Sequence, residues 1–321
     1  MNIRILSVCI LAASTLLISC DTKKENPLVL QSEQIIETVP SASGIVCQDG
    51  LLQVVGDDAA YIFQLNAQNN IIDKYQISMM NRLQNGRISK SLKADFESMD
   101  YFDDMLLVMG SGSSKVSRDT AVLFNLKQKT IMAKVSFRPL YQEFLILGGF
   151  DSTQSINMEG LASDDHNFYL LHRGNICGKN IIFQIKKVEL LHFIQTAELP
   201  HISFHSFDLP KINGCQSGFS GACVSPDKKR LIFTASVEST GDVYHDGEVL
   251  GSFIGTISIM GSQAWKQYSI YPVLRNDSVV KTKLESVCVH SYQGNQFQLI
   301  AASDNDNGKS GIYHFLLNIK N

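Results

Sequence analysis

Five positions along the chain carry an acidic or hydroxyl side chain within a recurring short motif. They are Ser43, Glu97, Glu159, Ser220 and Glu285, separated by 54, 62, 61 and 65 residues. If equivalent positions of a repeat meet around one axis, three carboxylates converge. At about 5 Å and an effective dielectric constant near 20, each carboxylate pair repels by roughly 3 kcal/mol. The glutamates therefore require a bound hard cation, guanidinium partners or a proton.

Further polar residues are expected at the same end of the repeat, where the second strand of each unit ends. These are Asp57, Asp58, Ser111, Ser113, Arg118, His172, Arg173, Asn175, Glu238, Asp304 and Asn305. Carboxylate and amide oxygens suit Ca²⁺ or Mg²⁺, whereas Zn²⁺ prefers His and Cys.

The sequence thus predicts a metal site at Glu97, Glu159 and Glu285, with Ca²⁺ as the candidate cofactor. It also predicts a ligand-binding group at Arg118, His172, Arg173 and Asn175. Two alternatives stay open. The arginines can pair with the glutamates or clamp an anionic group, or each glutamate can cap turn amides within its own repeat.

The elements that must position these residues are short strands. Each repeat contains apolar runs rich in Val, Ile, Phe and Tyr, separated by clusters of Asn, Asp, Gly and Ser. This pattern is typical of strands, and no strong helical period of adequate length is found. Four strands per unit, repeated radially, predict an all-β chain folded as a five-bladed β-propeller. A six-bladed ring with one degenerate blade is the alternative.

The fourth, outer strands are predicted at residues 71–77, 130–137, 188–195 and 263–271. The fifth unit has no such segment, because the chain ends a few residues after its third strand. Residues 28–39 have strand composition, and we expect them to complete the last blade and close the ring, which removes an exposed sheet edge.

Composition sets the class of protein. The 321 residues are 44% hydrophobic and 18% charged, with a formal net charge of −3. This apolar content supports a sizeable core, and without a basic excess the chain is not expected to bind nucleic acid. Residues 27–321 are predicted to form a single domain.

Residues 1–19 are predicted to be a lipoprotein signal peptide. Residues 5–18 form an apolar run that is too short to span a bilayer comfortably, and the following Ser19-Cys20 resembles the end of a bacterial lipobox. Cys20 is therefore expected to carry lipid, with residues 20–26 as a tether. We expect a cell-envelope protein, anchored to the membrane at the periplasmic side or the outer-membrane surface. The alternative is an ordinary secretion signal with an incidental cysteine.

The remaining cysteines are Cys47, Cys177, Cys215, Cys223 and Cys288. An odd number cannot form a complete disulfide framework, and a chain of this length does not need one. Cys177 with Cys215 is the one pair considered. Cys223 and Cys288 occupy the same place in their repeats, which favours packing within inner strands.

One segment carries a family resemblance. Met158 to Ala162 (MEGLA), followed by Tyr169 to Asn175 (YLLHRGN), resembles a motif of phytase-like and esterase-like propellers. The chain is also similar to uncharacterised propeller lipoproteins of Gram-negative bacteria. The resemblance implies a propeller with acidic channel residues, which in metal-dependent propeller hydrolases would correspond to Glu97, Glu159 and Glu285. Ser43 and Ser220 depart from that acidic pattern.

The leading functional hypothesis is an exported, lipid-anchored propeller that binds a ligand, with a divalent cation, at its channel mouth. A metal-dependent hydrolase of phosphate esters or lactones is one alternative, and a protein-binding scaffold is the other, because propellers host all three. Two weaker motifs are given no chemical role: the first is predicted to be a polar hairpin loop, and the second to lie at the surface or in a loop. Asp304 to Gly308 lacks the spacing of an EF-hand, and His201 and His205 lie between prolines.

Overall fold

The structure is a computed structural model. It describes residues 26–79, 83–84, 86–113, 116–239, 247–304 and 308–319, and of residues 83, 84 and 116 the backbone alone. The predicted signal peptide, the lipidation site Cys20, most of the tether and Asn305 lie outside the described residues.

Twenty strands form five antiparallel four-stranded sheets, the blades. The inner strands of blades 1 to 5 are Ala42–Gln48, Phe96–Phe102, Met158–Ser163, Gly218–Val224 and Leu284–Gln293. The second strands are Leu51–Gly56, Met105–Gly110, Asn167–His172, Arg230–Ser239 and Gln296–Asp304. The third strands are Tyr61–Leu65, Thr120–Asn125, Asn180–Lys186, Glu248–Ser258 and Ser310–Asn318. The outer strands are Ile71–Gln76, Thr130–Ser136, Ile202–Phe207, Tyr268–Pro272 and, for blade 5, Leu28–Ile36.

The N-terminal strand closes the ring. Leu28–Ile36 pairs antiparallel with Ser310–Asn318, the third strand of blade 5. Each inner strand packs against the inner strands of the two neighbouring blades, so that the five form a closed circle. The predicted five-bladed propeller and its closure are therefore confirmed, and the six-bladed alternative is wrong.

The prediction for the outer strand of blade 3 is wrong. Residues 188–195 belong to an α-helix, Lys187–Thr196, which buries Leu190, Phe193 and Ile194. These three positions follow the i, i+3, i+4 spacing of a helix face, which a short apolar run does not distinguish from a strand. The outer strand is Ile202–Phe207, so His205 lies on a strand and not in a loop.

A second α-helix, Arg138–Leu147, also contradicts the expectation that no helix is present. It has a proline in its first turn and buries Leu140, Tyr141 and Phe144. The ring of Phe144 stacks on that of Phe183 in blade 3 at 4.0 Å between centroids. The helix therefore covers the seam between blades 2 and 3. Neither helix of the described residues has the length and apolarity needed to cross a membrane.

Short elements complete the described chain. A 3-10 helix spans Val116–Asp119. Three two-stranded ribbons are Leu83–Gln84 with Arg87–Ile88, Lys211–Ile212 with Cys215–Gln216, and Leu274–Arg275 with Ser278–Val279.

The five described cysteines are free thiols, so the Cys177–Cys215 disulfide considered above is not formed. The sulfur of Cys177 lies instead 3.5 Å from Nε2 of His172. Cys288 is buried in an inner strand, as its place in the repeat predicted.

Candidate functional site

Each inner strand has an irregularity at the repeated polar position. The pairing register with the second strand shifts between Ala42 and Gly44, Phe96 and Ser98, Met158 and Gly160, Phe219 and Gly221, and Leu284 and Ser286. The extra residue of the five bulges is Ser43, Glu97, Glu159, Ser220 and Glu285. A bulge re-aims a side chain and sharpens the local twist. The five positions that repeat in the sequence therefore occupy the same structural position in the five blades.

The two serines of this ring join neighbouring blades. The hydroxyl of Ser43 donates to the carbonyl of Phe96 in blade 2, and that of Ser220 donates to the carbonyl of Leu284 in blade 5 at 2.6 Å. Serine therefore links inner strands at these two positions, and the ring's carboxylates come only from blades 2, 3 and 5.

The three glutamates line one large cavity at the end of the channel where the inner strands begin. Its volume is about 1090 Å³. Its described lining contains the acidic residues Glu37, Asp57, Asp58, Asp95, Glu97, Glu159, Glu285 and Asp304. Its described basic residues are Lys74, Arg87, Lys90, Lys93, Arg118 and Lys283. Eight acidic groups against six basic groups leave two negative charges in excess when all are ionised.

One side of the cavity is built around Asp95. Its Oδ1 lies 2.8 Å from Nζ of Lys93, and its Oδ2 lies 2.8 Å from Nη1 of Arg118. The hydroxyl groups of Ser111 and Ser113 also donate to Oδ2. Burial alone would raise the pKa of Asp95, but Lys93 and Arg118 outweigh it and lower this pKa.

Glu97 differs from its neighbours because its carboxylate lacks a close cationic partner. No hydrogen bond and no ion pair within 4 Å reaches it in the part of the chain that the structure describes. Burial, followed by repulsion from Glu159, Asp95 and Asp57, raises its pKa well above the usual range, and the charge of Lys93 offsets this rise only in part. One carboxylate oxygen each from Asp57, Asp95 and Glu97 lie within 4.8 Å of one another.

The other side of the cavity is organised by Arg173. Its Nη2 lies 2.8 Å from Oε2 of Glu238, and its Nη1 lies 3.7 Å from Glu159 and 4.0 Å from Glu285. Lys283 adds ion pairs at 3.3 Å to Glu238 and 3.0 Å to Glu285. The glutamates of blades 3 and 5 therefore have cations beside them, as the arginine-pairing alternative predicted.

Burial has the largest effect on the pKa values of Glu159 and Glu285. It raises the pKa of Glu159, with Arg173 and Lys283 opposing it. Burial likewise raises the pKa of Glu285 to about 8, with Lys283 opposing and Glu159 adding repulsion. The site can therefore hold protons at neutral pH that the same residues would release in water.

The alternative in which the glutamates cap turn amides is not what the structure contains. No backbone amide donates to Glu97, Glu159 or Glu285 among the described residues. Glu159 instead accepts a hydrogen bond from a side chain, since Nδ2 of Asn157 donates to its Oε1 at 2.7 Å. The carboxylates are thus directed to the channel and not to their own turns.

The four residues predicted to bind ligand have different surroundings. Arg118 lines the cavity but is bound to Asp95, and Arg173 is buried behind the cavity among glutamates. Nδ1 of the buried His172 accepts the amide hydrogen of Asn157 at 3.0 Å, and burial lowers the pKa of this histidine to about 3. Asn175 is half-buried beside Gly218, and neither it nor His172 is among the described lining residues.

Sequence reasoning missed a second ring of residues, two positions before the first. Its members are Ser41, Asp95, Asn157, Gly218 and Lys283. Gly218 opens its inner strand and the other four residues come directly before theirs, so this ring lies beside the first at the strand entrances. The glycine has a specific reason, because a Cβ at Gly218 would lie 2.5 Å from Cγ of Arg173. The absence of a Cβ at Gly218 leaves room for the side chain of Arg173. Comparing the residues two positions before each repeated polar residue would have identified this ring.

The chain was compared with curated proteins, with solved structures and with models of protein families, and the last comparison identifies its family. No curated protein matches the chain. Among solved structures, hydrazine synthase of Kuenenia stuttgartiensis is similar at 11% identity over 87% of this chain, with a TM-score of 0.41. The chain spans 60% of that protein's length. Glutaminyl cyclase of Myxococcus xanthus is similar at 10% identity, over 91% of this chain and 97% of its own, with a TM-score of 0.47. Similarities this distant carry no argument about activity.

The family match covers the five blades except for Leu28–Ile36, the outer strand of blade 5, and the last residue of its partner strand. It extends over residues 38–317. The chain therefore belongs to the family described as a family of unknown function, DUF6929.

Proposed function

We propose that the cavity of about 1090 Å³ is a binding site for a small polar ligand that is held through a cation, with Ca²⁺ as the first candidate. Asp57, Asp95 and Glu97 would supply the oxygen ligands. This set replaces the predicted trio of ring glutamates as the centre of the site, because Glu159 and Glu285 already have Arg173 and Lys283 beside them.

The observation that carries the proposal is that Glu97 faces the cavity beside two other carboxylates, without a hydrogen bond or a close ion pair among the described residues. A carboxylate that faces a cavity, without a hydrogen bond and beside two other carboxylates, is costly unless positive charge reaches it. Beside Glu97, Oδ1 of Asp57 is a buried acceptor that has no hydrogen-bond partner among the described residues. The two excess negative charges of the described lining correspond to one divalent cation or to two protons.

Lys93 is expected to weaken the affinity for a cation, because its ammonium group competes for the same aspartates. Its ammonium group contacts both Asp57 and Asp95, and these aspartates outweigh burial and raise its pKa. A divalent cation must therefore displace Lys93 from at least one aspartate. The flexible four-carbon stem of lysine permits this movement. Cation binding should consequently be stronger when the ammonium group is removed.

Calorimetric titration of the purified chain with CaCl₂ and with MgCl₂ tests the proposal. We expect saturable binding of one Ca²⁺, at least tenfold weaker in Glu97→Gln and tighter in Lys93→Met. Glu285→Gln is the matched control, because it removes a ring carboxylate that already has a lysine partner, and it should change the affinity less than threefold. Absence of saturable binding in both the native chain and Lys93→Met would contradict the proposal, and a protein-binding scaffold would then be the stronger hypothesis.

We also propose that the cavity works at a membrane surface, with lipid on Cys20. The support is the lipobox-like sequence and the following polar tether. Expression of the full gene with a labelled fatty acid should label the native chain and not Cys20→Ser. Equal labelling of both, or of neither, would contradict the anchor.

A further inference from the structure

The opposite end of the channel holds a separate cavity, of about 380 Å³. Its lining comes from the segments where inner strands end, whereas the candidate cation site lies where they begin. Three of the lining residues are cysteines, namely Cys47, Cys223 and Cys288. The function proposed above uses none of them.

Cys47 and Cys288 lie beside each other where blade 1 packs against blade 5. Cys47 is on the inner strand of blade 1 and Cys288 on that of blade 5, and these strands pack side by side. The two side chains belong to one apolar cluster. Both side chains also line the same cavity, and each thiol influences the pKa of the other. The two sulfurs are therefore neighbours in the folded chain.

The two thiols are not equivalent. Cys47 is half-buried, and its Sγ lies 3.7 Å from Nδ1 of the exposed His290. The neighbouring thiol of Cys288 is the main reason that the pKa of Cys47 falls to about 6, with burial opposing and His290 adding to the effect. Cys288 is 4% exposed, and the neighbouring Cys47 together with burial raises the pKa of Cys288. An accessible thiolate thus lies beside a protected thiol, which is the arrangement of an attacking and a resolving cysteine.

We propose that Cys47 and Cys288 form a site of oxidative modification, at which a small-molecule disulfide converts the two thiols into a Cys47–Cys288 disulfide that locks blade 1 to blade 5.

The reaction has two balanced steps. The thiolate of Cys47, whose proton passes to His290 or to water, attacks one sulfur of the oxidant, which forms a mixed disulfide and releases one small thiolate. Cys288 then loses its proton and attacks the Cys47 sulfur of the mixed disulfide. This forms the protein disulfide and releases the second small thiolate. The two cysteines lose two electrons and two protons, and the oxidant becomes two thiols.

The consequence is mechanical. The ring is otherwise closed by the hydrogen bonds between Leu28–Ile36 and Ser310–Asn318. That strand pair lies within blade 5, whereas a covalent bond between Cys47 and Cys288 would join blade 5 to blade 1 near the axis and so add a second closure. Such a bond restricts the unfolded chain over a long loop, which stabilises the folded state.

The experiment uses the purified full chain with oxidised glutathione at pH 7.5, followed by alkylation, proteolysis and mass spectrometry. We expect a peptide pair linked through Cys47 and Cys288, accompanied by a rise of a few degrees in Tm that reduction reverses. Cys288→Ser should stop at the glutathione adduct of Cys47. His290→Gln should slow adduct formation several-fold. Cys215→Ser, which changes a half-buried cysteine outside this cavity, should react like the native chain.

Three results would overturn the proposal. The first is a native chain that gains no linked pair, whether it stays reduced or stops at an adduct. The second is a pair formed mainly by Cys223 with either partner. The third is equal reaction of Cys47 in the native chain and after denaturation in urea, which would mean that the fold does not activate it.

Discussion

Arg173 of blade 3 donates a hydrogen bond to Glu238 of blade 4, with 2.8 Å between Nη2 and Oε2. Both side chains are buried, at 4% and 7% exposure. A buried ion pair contributes little compared with an apolar replacement of the whole pair, but removal of one partner leaves a charge without compensation. Arg173 therefore both joins blade 3 to blade 4 and compensates the negative charge of buried glutamates beside the channel.

Arg173→Met should consequently destabilise the chain by about 3–5 kcal/mol, because Glu238 and the nearby Glu159 lose their guanidinium. Urea unfolding followed by circular dichroism measures the loss. Arg275→Met is the matched control, since Arg275 pairs with Glu33 on the exposed surface and should cost less than about 1 kcal/mol. Equal losses in the two variants would mean that Arg173 does not hold the ring together.

Glu285 predicts a pH dependence of stability. Its pKa is raised to about 8 in the folded chain, against 4.5 for an ordinary glutamate. Between these values the folded state binds a proton that the unfolded state releases. The stabilisation is therefore complete below about pH 4.5 and is lost as the pH rises towards 8, at up to roughly 1.4 kcal/mol per pH unit.

The measurement is the free energy of unfolding of the native chain and of Glu285→Gln from pH 5 to pH 8.5. The amide mimics the protonated acid, so the difference between variant and native chain should grow in favour of the variant as the pH rises. A difference that stays constant across this range would show that Glu285 titrates normally.

The close packing of inner strands predicts that a side chain at Gly221 would clash with the backbone of the next blade. A Cβ at Gly221 would lie 2.5 Å from the carbonyl oxygen of Glu285 and 2.5 Å from Cα of Ser286, which are backbone atoms of the next blade. Gly221→Ala should therefore cost about 2 kcal/mol or more, because an overpacked site forces the strands apart.

Ser98→Ala is the control, since Ser98 occupies the same place in its repeat and already has a Cβ. Its buried hydroxyl has no hydrogen-bond partner in the part of the chain that the structure describes. It should be neutral or slightly stabilising. Thermal unfolding of both variants checks the pair. Equal Tm values for Gly221→Ala and the native chain would refute the close packing.

Glu97→Gln tests whether the candidate site is maintained at a cost in stability. Its raised pKa results from burial and from surrounding carboxylates, so replacement with a neutral amide should stabilise the cation-free chain by about 1 kcal/mol at pH 8. At pH 5, where the acid form is favoured, the gain should shrink. Chemical unfolding in the presence of a chelator at the two pH values makes the comparison. A loss of stability at pH 8 would indicate that Glu97 has a structural partner.

The sequence predicted the parts of this molecule that repeat. A spacing of about sixty residues was enough to infer five blades, and it identified Glu97, Glu159 and Glu285 as neighbours because a repeated bulge presents the same position to the channel each time. The strand of residues 28–36 was predicted because the last blade lacked an outer strand.

The parts that do not repeat were not predicted. The helix Lys187–Thr196 occurs once and is ten residues long, so its period competes poorly with strand composition. Lys93 and Lys283 approach the carboxylates from segments that precede inner strands, and which acid each lysine meets depends on how neighbouring blades pack. The difference between Glu159 and Glu285, which have cations beside them, and Glu97, which has no ion pair within 4 Å among the described residues, follows from that packing and not from the order of residues.

The most direct test of the cation site is a crystal structure of the chain soaked in MnCl₂, with anomalous scattering used to locate the metal. We predict one strong peak bounded by carboxylate oxygens of Asp57, Asp95 and Glu97, with Lys93 displaced from at least one aspartate. No peak at these residues, with Lys93 still bound to both aspartates at saturating Mn²⁺, would contradict a cation site in the channel.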